Sequence, residues 1–262
     1  MSGNSIFSVS NAVSMIERAL NFLNTNPQPD QPHSSDNYEH DEIHQTFNLT
    51  PGDRIEVSRI SGPVEVESAD GDVAEVHVIR SARIKTDLDW RKIRIEQTPT
   101  GLVIEPVDDE SRRPRSVRVN HYVLLKLPRQ VSFTSAGVSG SVSIGRIDGT
   151  VQISGTSGSV IMKETNGATD ISGVSGSVII NLARLNERGL RVSGVSGTVE
   201  LYVPEELNAD VSITDLTGQV VIDIPQVPLT ETRASSYHCR LGQGGARISV
   251  SGVTGNVVLR RG

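Results

Sequence analysis

The chain has 262 residues, 36% of them apolar, which is enough for one large packed core or two small ones. Its formal net charge of -6 supplies no general basic field for nucleic acid or anionic lipid, and a lone cysteine, Cys239, excludes any disulfide framework. Aromatic residues make up only 3% against 24 glycines, a mixture that favours short strands of β-branched residues joined by sharp corners.

In chain order, the first predicted element is a short amphipathic helix over 11–24. Ala12, Val13, Met15, Ile16, Ala19, Leu20, Phe22 and Leu23 recur at three- and four-residue steps, with Asn11, Ser14, Glu17, Arg18, Asn21 and Asn24 on the other face. An isolated helix of this length is marginal in water, so its stripe, centred on Ile16, Leu20 and Leu23, is expected to dock on the rest of the chain or on another copy. Only Arg18 is basic on the polar face, which argues against a membrane surface. No basic-then-apolar leader and no run of roughly 18 apolar residues is present, so the expectation is a cytoplasmic chain without membrane insertion, reaching the envelope only through a partner.

Residues 25–45 shift to Pro27, Pro29, Pro32, Asp30, Asp36, Glu39, Asp41 and Glu42 and read as a disordered acidic linker between the helix, 1–24, and a β domain, 46–262. Its histidines, His33, His40 and His44, have no regular ligand spacing, so no metal is expected there. Next come alternating runs, Arg54-Ile55-Glu56-Val57 and Val64-Glu65-Val66-Glu67, which read as strands. Ile93 to Glu96, Pro99-Thr100-Gly101 and Leu102-Val103-Ile104 form a predicted hairpin, and Val117 to Leu127 a further strand ending at Pro128. The block Asp108 to Arg115, acidic then basic, reads as a solvated loop.

The strongest signal is internal repetition from about Ser135 onward. Ser139-Gly140-Ser141, Ser157-Gly158-Ser159, Ser175-Gly176-Ser177, Ser196-Gly197-Thr198, Thr217-Gly218-Gln219 and Thr254-Gly255-Asn256 place glycines 18, 18, 21, 21 and 37 residues apart, and Gly149 and Gly167 halve the first two intervals. Two residues after these glycines stand Val142, Val151, Val160, Val178, Val199, Val220 and Val257, with Thr169 as the exception. Four residues after them stand Ile144, Ile153, Met162, Ile171, Ile180, Leu201, Ile222 and Leu259. Side chains two apart share one face of a strand, so each unit turns at glycine, sends two apolar side chains inward and turns again. One unit cannot bury that face, whereas units stacked about 4.8 Å apart form a continuous apolar column. The predicted fold is therefore all-β: a short flattened β-solenoid with two strands per 18- to 21-residue coil, preceded by N-proximal hairpins and the N-terminal helix. The Ser or Thr before each glycine is expected to cap the turns with its hydroxyl.

Between the inward positions, Ser143, Gln152, Asp170 and Glu200 are polar, but Ile161, Ile179, Val221 and Val258 are not. These four define a candidate interaction strip, covered by the N-terminal stripe or by a partner.

Thr50-Pro51-Gly52, the run Tyr122 to Pro128 leading into Ser135 to Val142, the Val-Ser-Gly-Ser-Val units, and Gly242-Gln243-Gly244-Gly245 followed by Ile248, Val250 and Ser251 to Val257 resemble the bacterial putative-adhesin family. The resemblance covers Leu49 to Leu259. It implies a non-catalytic β-solenoid domain, often envelope-associated. A weaker similarity is to bactofilin-like solenoids, which polymerise end to end.

Enzyme chemistry has little to rest on. Trp90, Tyr38, Tyr122, Tyr202 and Tyr237 are scattered and build no sugar platform, and Asp148, Glu164, Asp170 and Glu200 fall on turns or outward faces. Gly242 to Gly245 lacks the Lys and Ser/Thr of a phosphate loop, and His238-Cys239 has no positioned partner. No cofactor is expected. The first reading is a scaffold that presents a surface to a protein partner, the second a self-assembling subunit joined through the helix or the open coil ends, and the third, a polysaccharide-acting enzyme, is disfavoured.

Overall fold

A computed structural model describes residues 38–108, 117–225, 227, 230–233 and 235–262. The predicted helix over 11–24, with Ile16, Leu20 and Leu23, and nearly all of the charged block at 108–115 lie outside these residues. The described chain is all-β, arranged as one 10-stranded and one 11-stranded sheet, here sheets A and B.

From β8 (Ser132–Val138) to β17 (Val220–Asp223), successive strands alternate between the sheets. Sheet A receives β9 (Val142–Ile147), β11 (Val160–Thr165), β13 (Val178–Leu182), β15 (Val199–Val203) and β17 (Val220–Asp223). Sheet B receives β8, β10 (Val151–Thr156), β12 (Thr169–Val174), β14 (Leu190–Val195) and β16 (Ala209–Leu216). Neighbours within each sheet are parallel, and the repeat sets the register: Val142, Val160, Val178 and Val199 are lateral partners in sheet A, as are Ile144, Met162, Ile180 and Leu201. All eight side chains are buried and belong to one core between the sheets. The single polar exception, Thr169, is buried too, and its hydroxyl meets that of Thr165 at 3.1 Å. That pairing is why a hydroxyl is tolerated in the column.

The C-terminal strands depart from chain order. β20 (Ala246–Val253) lies between β14 and β16, and β21 (Val257–Arg261) between β15 and β17. The last units of the chain therefore form an inner layer. β18 (Thr230–Arg233) and β19 (Ser236–Leu241), from the predicted insertion, extend sheet B beyond β16 as antiparallel strands.

The N-proximal strands mirror this plan. β2 (Arg54–Ser58) and β6 (Gly101–Asp108) continue sheet B in parallel, while β3 (Val64–Ala69) and β7 (Asn120–Pro128) continue sheet A. Of the expected N-proximal hairpins, β5 (Arg91–Thr98) with β6 is one, turning through Pro99 and Thr100. β2 and β3 are not a hairpin, because they enter opposite sheets. Sheet A ends in antiparallel β4 (Val73–Ala82) and β1 (Glu39–Asn48). β1 corrects the linker reading, since the strand begins at Glu39 inside the acidic segment. Ile43 and Phe47 pack against the core, and the carboxylate of Asp41 pairs with Arg80, so a mostly charged stretch still finds partners. A six-residue helix, α1 (Lys85–Trp90), connects β4 to β5.

The corners follow the glycines. A Cβ on Gly176 would lie 2.6 Å from the Gly158 carbonyl oxygen of the layer beneath, closer than real Cβ contacts allow. Capping, however, is done by the residue after the glycine in four units, Ser141, Ser159, Ser177 and Asn256. The Ser159 backbone N–H donates to Ser141 Oγ at 3.2 Å, Ser177 N–H to Ser159 Oγ at 3.1 Å, and Thr198 N–H to Ser177 Oγ at 3.1 Å. Ser157, Ser175 and Ser196, which precede the glycines, are exposed. Ser177→Ala should lower unfolding free energy by about 1 kcal/mol, while Ser175→Ala should change it by less than about 0.5. Urea unfolding of the two variants checks the assignment.

Candidate functional site

The outward side chains of sheet A form a lateral row fixed by the register: His44, His77, Leu124, Glu65, Ser143, Ile161, Ile179, Glu200, Val258 and Val221. The four candidate residues thus fall in one row across β11, β13, β21 and β17. Glu200 interrupts them, and its carboxylate accepts a hydrogen bond from Tyr202 Oη at 3.0 Å. Ile161 is 38% exposed and Val221 43%, while Ile179 is half-buried and Val258 is buried among its neighbours. The corresponding row of sheet B runs Glu96, Val103, Glu56, Thr134, Gln152, Asp170, Arg191, Ser249 and Ser212, polar except at Val103. The middle strands of the two outer faces therefore differ: those of sheet A carry Ile161 and Ile179, those of sheet B hydrogen-bonding and charged side chains. Among the described residues, aliphatic exposure on sheet B is confined to β6, with Val107 at 43%.

Catalytic candidates are occupied elsewhere. The turn at Gly242 to Gly245 spends its N–H groups internally: Gln243 N–H donates to Asn208 Oδ1 at 2.7 Å and Gly245 N–H to Asp210 Oδ2 at 3.1 Å. The Gly245 N–H bond, and then Arg240 at 2.9 Å, hold the Asp210 carboxyl below its ordinary range. Cys239 packs in the core, and burial pushes its thiol up to about 11, so it stays protonated and unreactive at neutral pH. Among the described residues, no group of three His, Cys, Asp or Glu could hold a metal ion, and no helix is long and apolar enough to cross a membrane.

One buried group had no sequence signature. His121 on β7 points inward beside its lateral partner Arg80. It is fully buried, and neither ring nitrogen has a hydrogen-bond partner. Arg80 itself donates from Nη1 to the Leu88 and Arg91 carbonyls at 3.0 and 2.9 Å. Burial first, then the charges of Arg91 and Arg80, push His121 down to about 4, so the imidazole is neutral near pH 7. Alternation could have placed His121 on the inward face with Val123 and Leu125, but nothing local announces Arg80 across the ladder.

The architecture is that of an all-β protein of two sheets whose strands alternate along the chain. No family model matches it, and no curated protein does. Among solved structures it is similar to a putative cell adhesion protein from Clostridium sporogenes, at 11% identity over 86% of this chain and 100% of that one, with a TM-score of 0.42. A putative adhesin from Bacteroides fragilis matches at 9% identity over 84% and 97% of the two chains, TM-score 0.32. A putative lipid binding protein from Parabacteroides distasonis matches at 12% identity over 84% and 95%, TM-score 0.28. The adhesin name is the one the repeat resembles. Likeness at this level says nothing about what the chain binds.

Proposed function

We propose that the chain is a non-catalytic, adhesin-like β-solenoid scaffold that presents the outward strip of sheet A to a protein partner. Support for the solenoid comes from strands that alternate between two sheets and pair in parallel at the spacing of the glycine repeat. The observation that carries the function is the strip itself: Ile161 and Ile179 side by side, with Val221 exposed farther along the same row. Exposed aliphatic side chains aligned on rigid strands cost little to order on binding and gain from leaving water.

The stack ends argue for this reading over end-to-end polymerisation. Antiparallel β1 and β5 close one end of the two sheets, and antiparallel β18 and β19 close sheet B at the other. Such strands interrupt the parallel pairing that a growing coil would need. The variant Ile161→Glu/Val221→Glu, compared with the parent after capture from native cells, tests the proposal. A partner kept by the parent and lost by an equally stable variant is expected; identical retained proteins would refute it, and concentration-dependent filaments in sedimentation would favour the polymer.

A further inference from the structure

Besides Val258, which its neighbours bury, three adjoining outward side chains of sheet A, all on β4 and β7, are buried where an open sheet face would leave them wet. Ile79 of β4 and Tyr122 of β7 are lateral partners, Leu124 follows two residues along β7, and the three form a cluster separate from the main core. Ile79 is 7% exposed and Tyr122 and Leu124 3% each, against 38% for Ile161 on the same face. Enclosing a tyrosine ring to that degree takes a layer of atoms above it. The long neighbours on this face are tied to one another, His77 to Glu42 at 2.6 Å and Lys126 to Glu75 at 3.2 Å.

Two stretches outside the described residues connect in sequence to strands beside the cluster. Residues 109–116 lead into β7 and read Asp-Glu-Ser-Arg-Arg-Pro-Arg-Ser, which offers charge but no aliphatic side chain. Residues 1–37 lead into β1 and contain the stripe of Ile16, Leu20 and Leu23. β1 pairs Glu42 with Ile79, so the strand starts about three residues, or ~10 Å, from the cluster. The intervening residues 25–38 can span up to ~45 Å, so the segment can fold back without strain. A tether that short also gives the segment an effective concentration near the millimolar range, which favours its own chain over a second copy.

We infer that the N-terminal segment docks its apolar stripe, Ile16, Leu20 and Leu23, on Ile79, Tyr122 and Leu124 of the same chain. This cover lies on β4 and β7 and leaves Ile161, Ile179 and Val221 open, so the inference stands or falls independently of the partner proposed above.

The test uses full-length chain with Cys239→Ser and a reporter thiol at Ile79→Cys or, separately, at Leu124→Cys, each checked for folding by circular dichroism. Both thiols should react with a charged maleimide about tenfold or more slowly than one at Ile161→Cys, and Leu20→Asp/Leu23→Asp should abolish that protection. With the cluster left native, the same double substitution should lower the urea midpoint. Protection that survives Leu20→Asp/Leu23→Asp, or a midpoint that does not move, would overturn the inference. So would protection lost instead on Arg112→Ala/Arg113→Ala, or lost on dilution as a dimer dissociates.

Discussion

Met162→Asp is expected to abolish the cooperative unfolding transition, while Ile161→Asp, one residue away, should shift stability by no more than about 1 kcal/mol. Met162 lies between its lateral partners Ile144 and Ile180 in the dry column, with sheet B opposite. A carboxylate there meets no donor or cation. Burying it without a partner costs at least several kcal/mol, which rivals the ~5–15 kcal/mol that holds an ordinary domain together. Ile161 points the other way and is already partly in water, so its replacement removes little burial. Circular dichroism against urea reads both. Equal losses would mean that the alternation of faces is misassigned, and with it the whole column.

Acidification from pH 6.5 toward 4 should destabilise the protein by on the order of 3 kcal/mol through His121 alone. In the unfolded chain the imidazole titrates near its ordinary value of about 6.5, whereas burial and the two neighbouring guanidinium groups hold it down to about 4 in the fold. A group depressed by folding binds protons more readily when unfolded. Its contribution is therefore fully present above pH 6.5 and is lost as pH falls toward 4. His121→Leu removes the proton site and both unpartnered nitrogens, so the variant should be no less stable than the parent at pH 7 and should lack this slope. On further acidification a residual fall should remain in both, because Glu105, held below the ordinary carboxylate range by hydrogen bonds from Arg59 and Arg94, loses its charge. Urea midpoints measured from pH 7 down to the acid limit of folding separate the two contributions. A His121→Leu profile that follows the parent would show that other groups set the acid limit.

The column was legible because two rules act on the same residues. Glycine corners set the phase, and a period of two decides which side chains face inward, so Val160, Val178 and Val199 could be placed before any coordinate was known. The β5–β6 turn was legible for a similar local reason, with Thr98 and Gly101 closing around Pro99 and Thr100. What escaped was non-local. Asp41 reads as linker until Arg80 is seen opposite it, and nothing in Ile248 or Val250 says that β20 lies against β14 rather than beyond β16. Every layer presents the same aliphatic pair, so the pattern fixes register without fixing layer order. The candidate strip shows both sides of this. Periodicity put Ile161 and Ile179 in one row, but the burial of Tyr122 and Leu124 on the same face depends on what lies above them, which strand alternation does not encode.

Because β20 and β21 sit inside the stack, the ribosome makes this inner layer after the outer one formed by β16 and β17. As β16 and β17 emerge, the places beside β14 and β15 that would receive them in simple succession must stay free for strands not yet translated. Until β20 and β21 have left the exit tunnel, the edges of β14 and β15 face solvent, and the nascent chain is at its most prone to clump with its neighbours. A chain ended just before Ala246 would thus carry a gap in the interior rather than lack a tip.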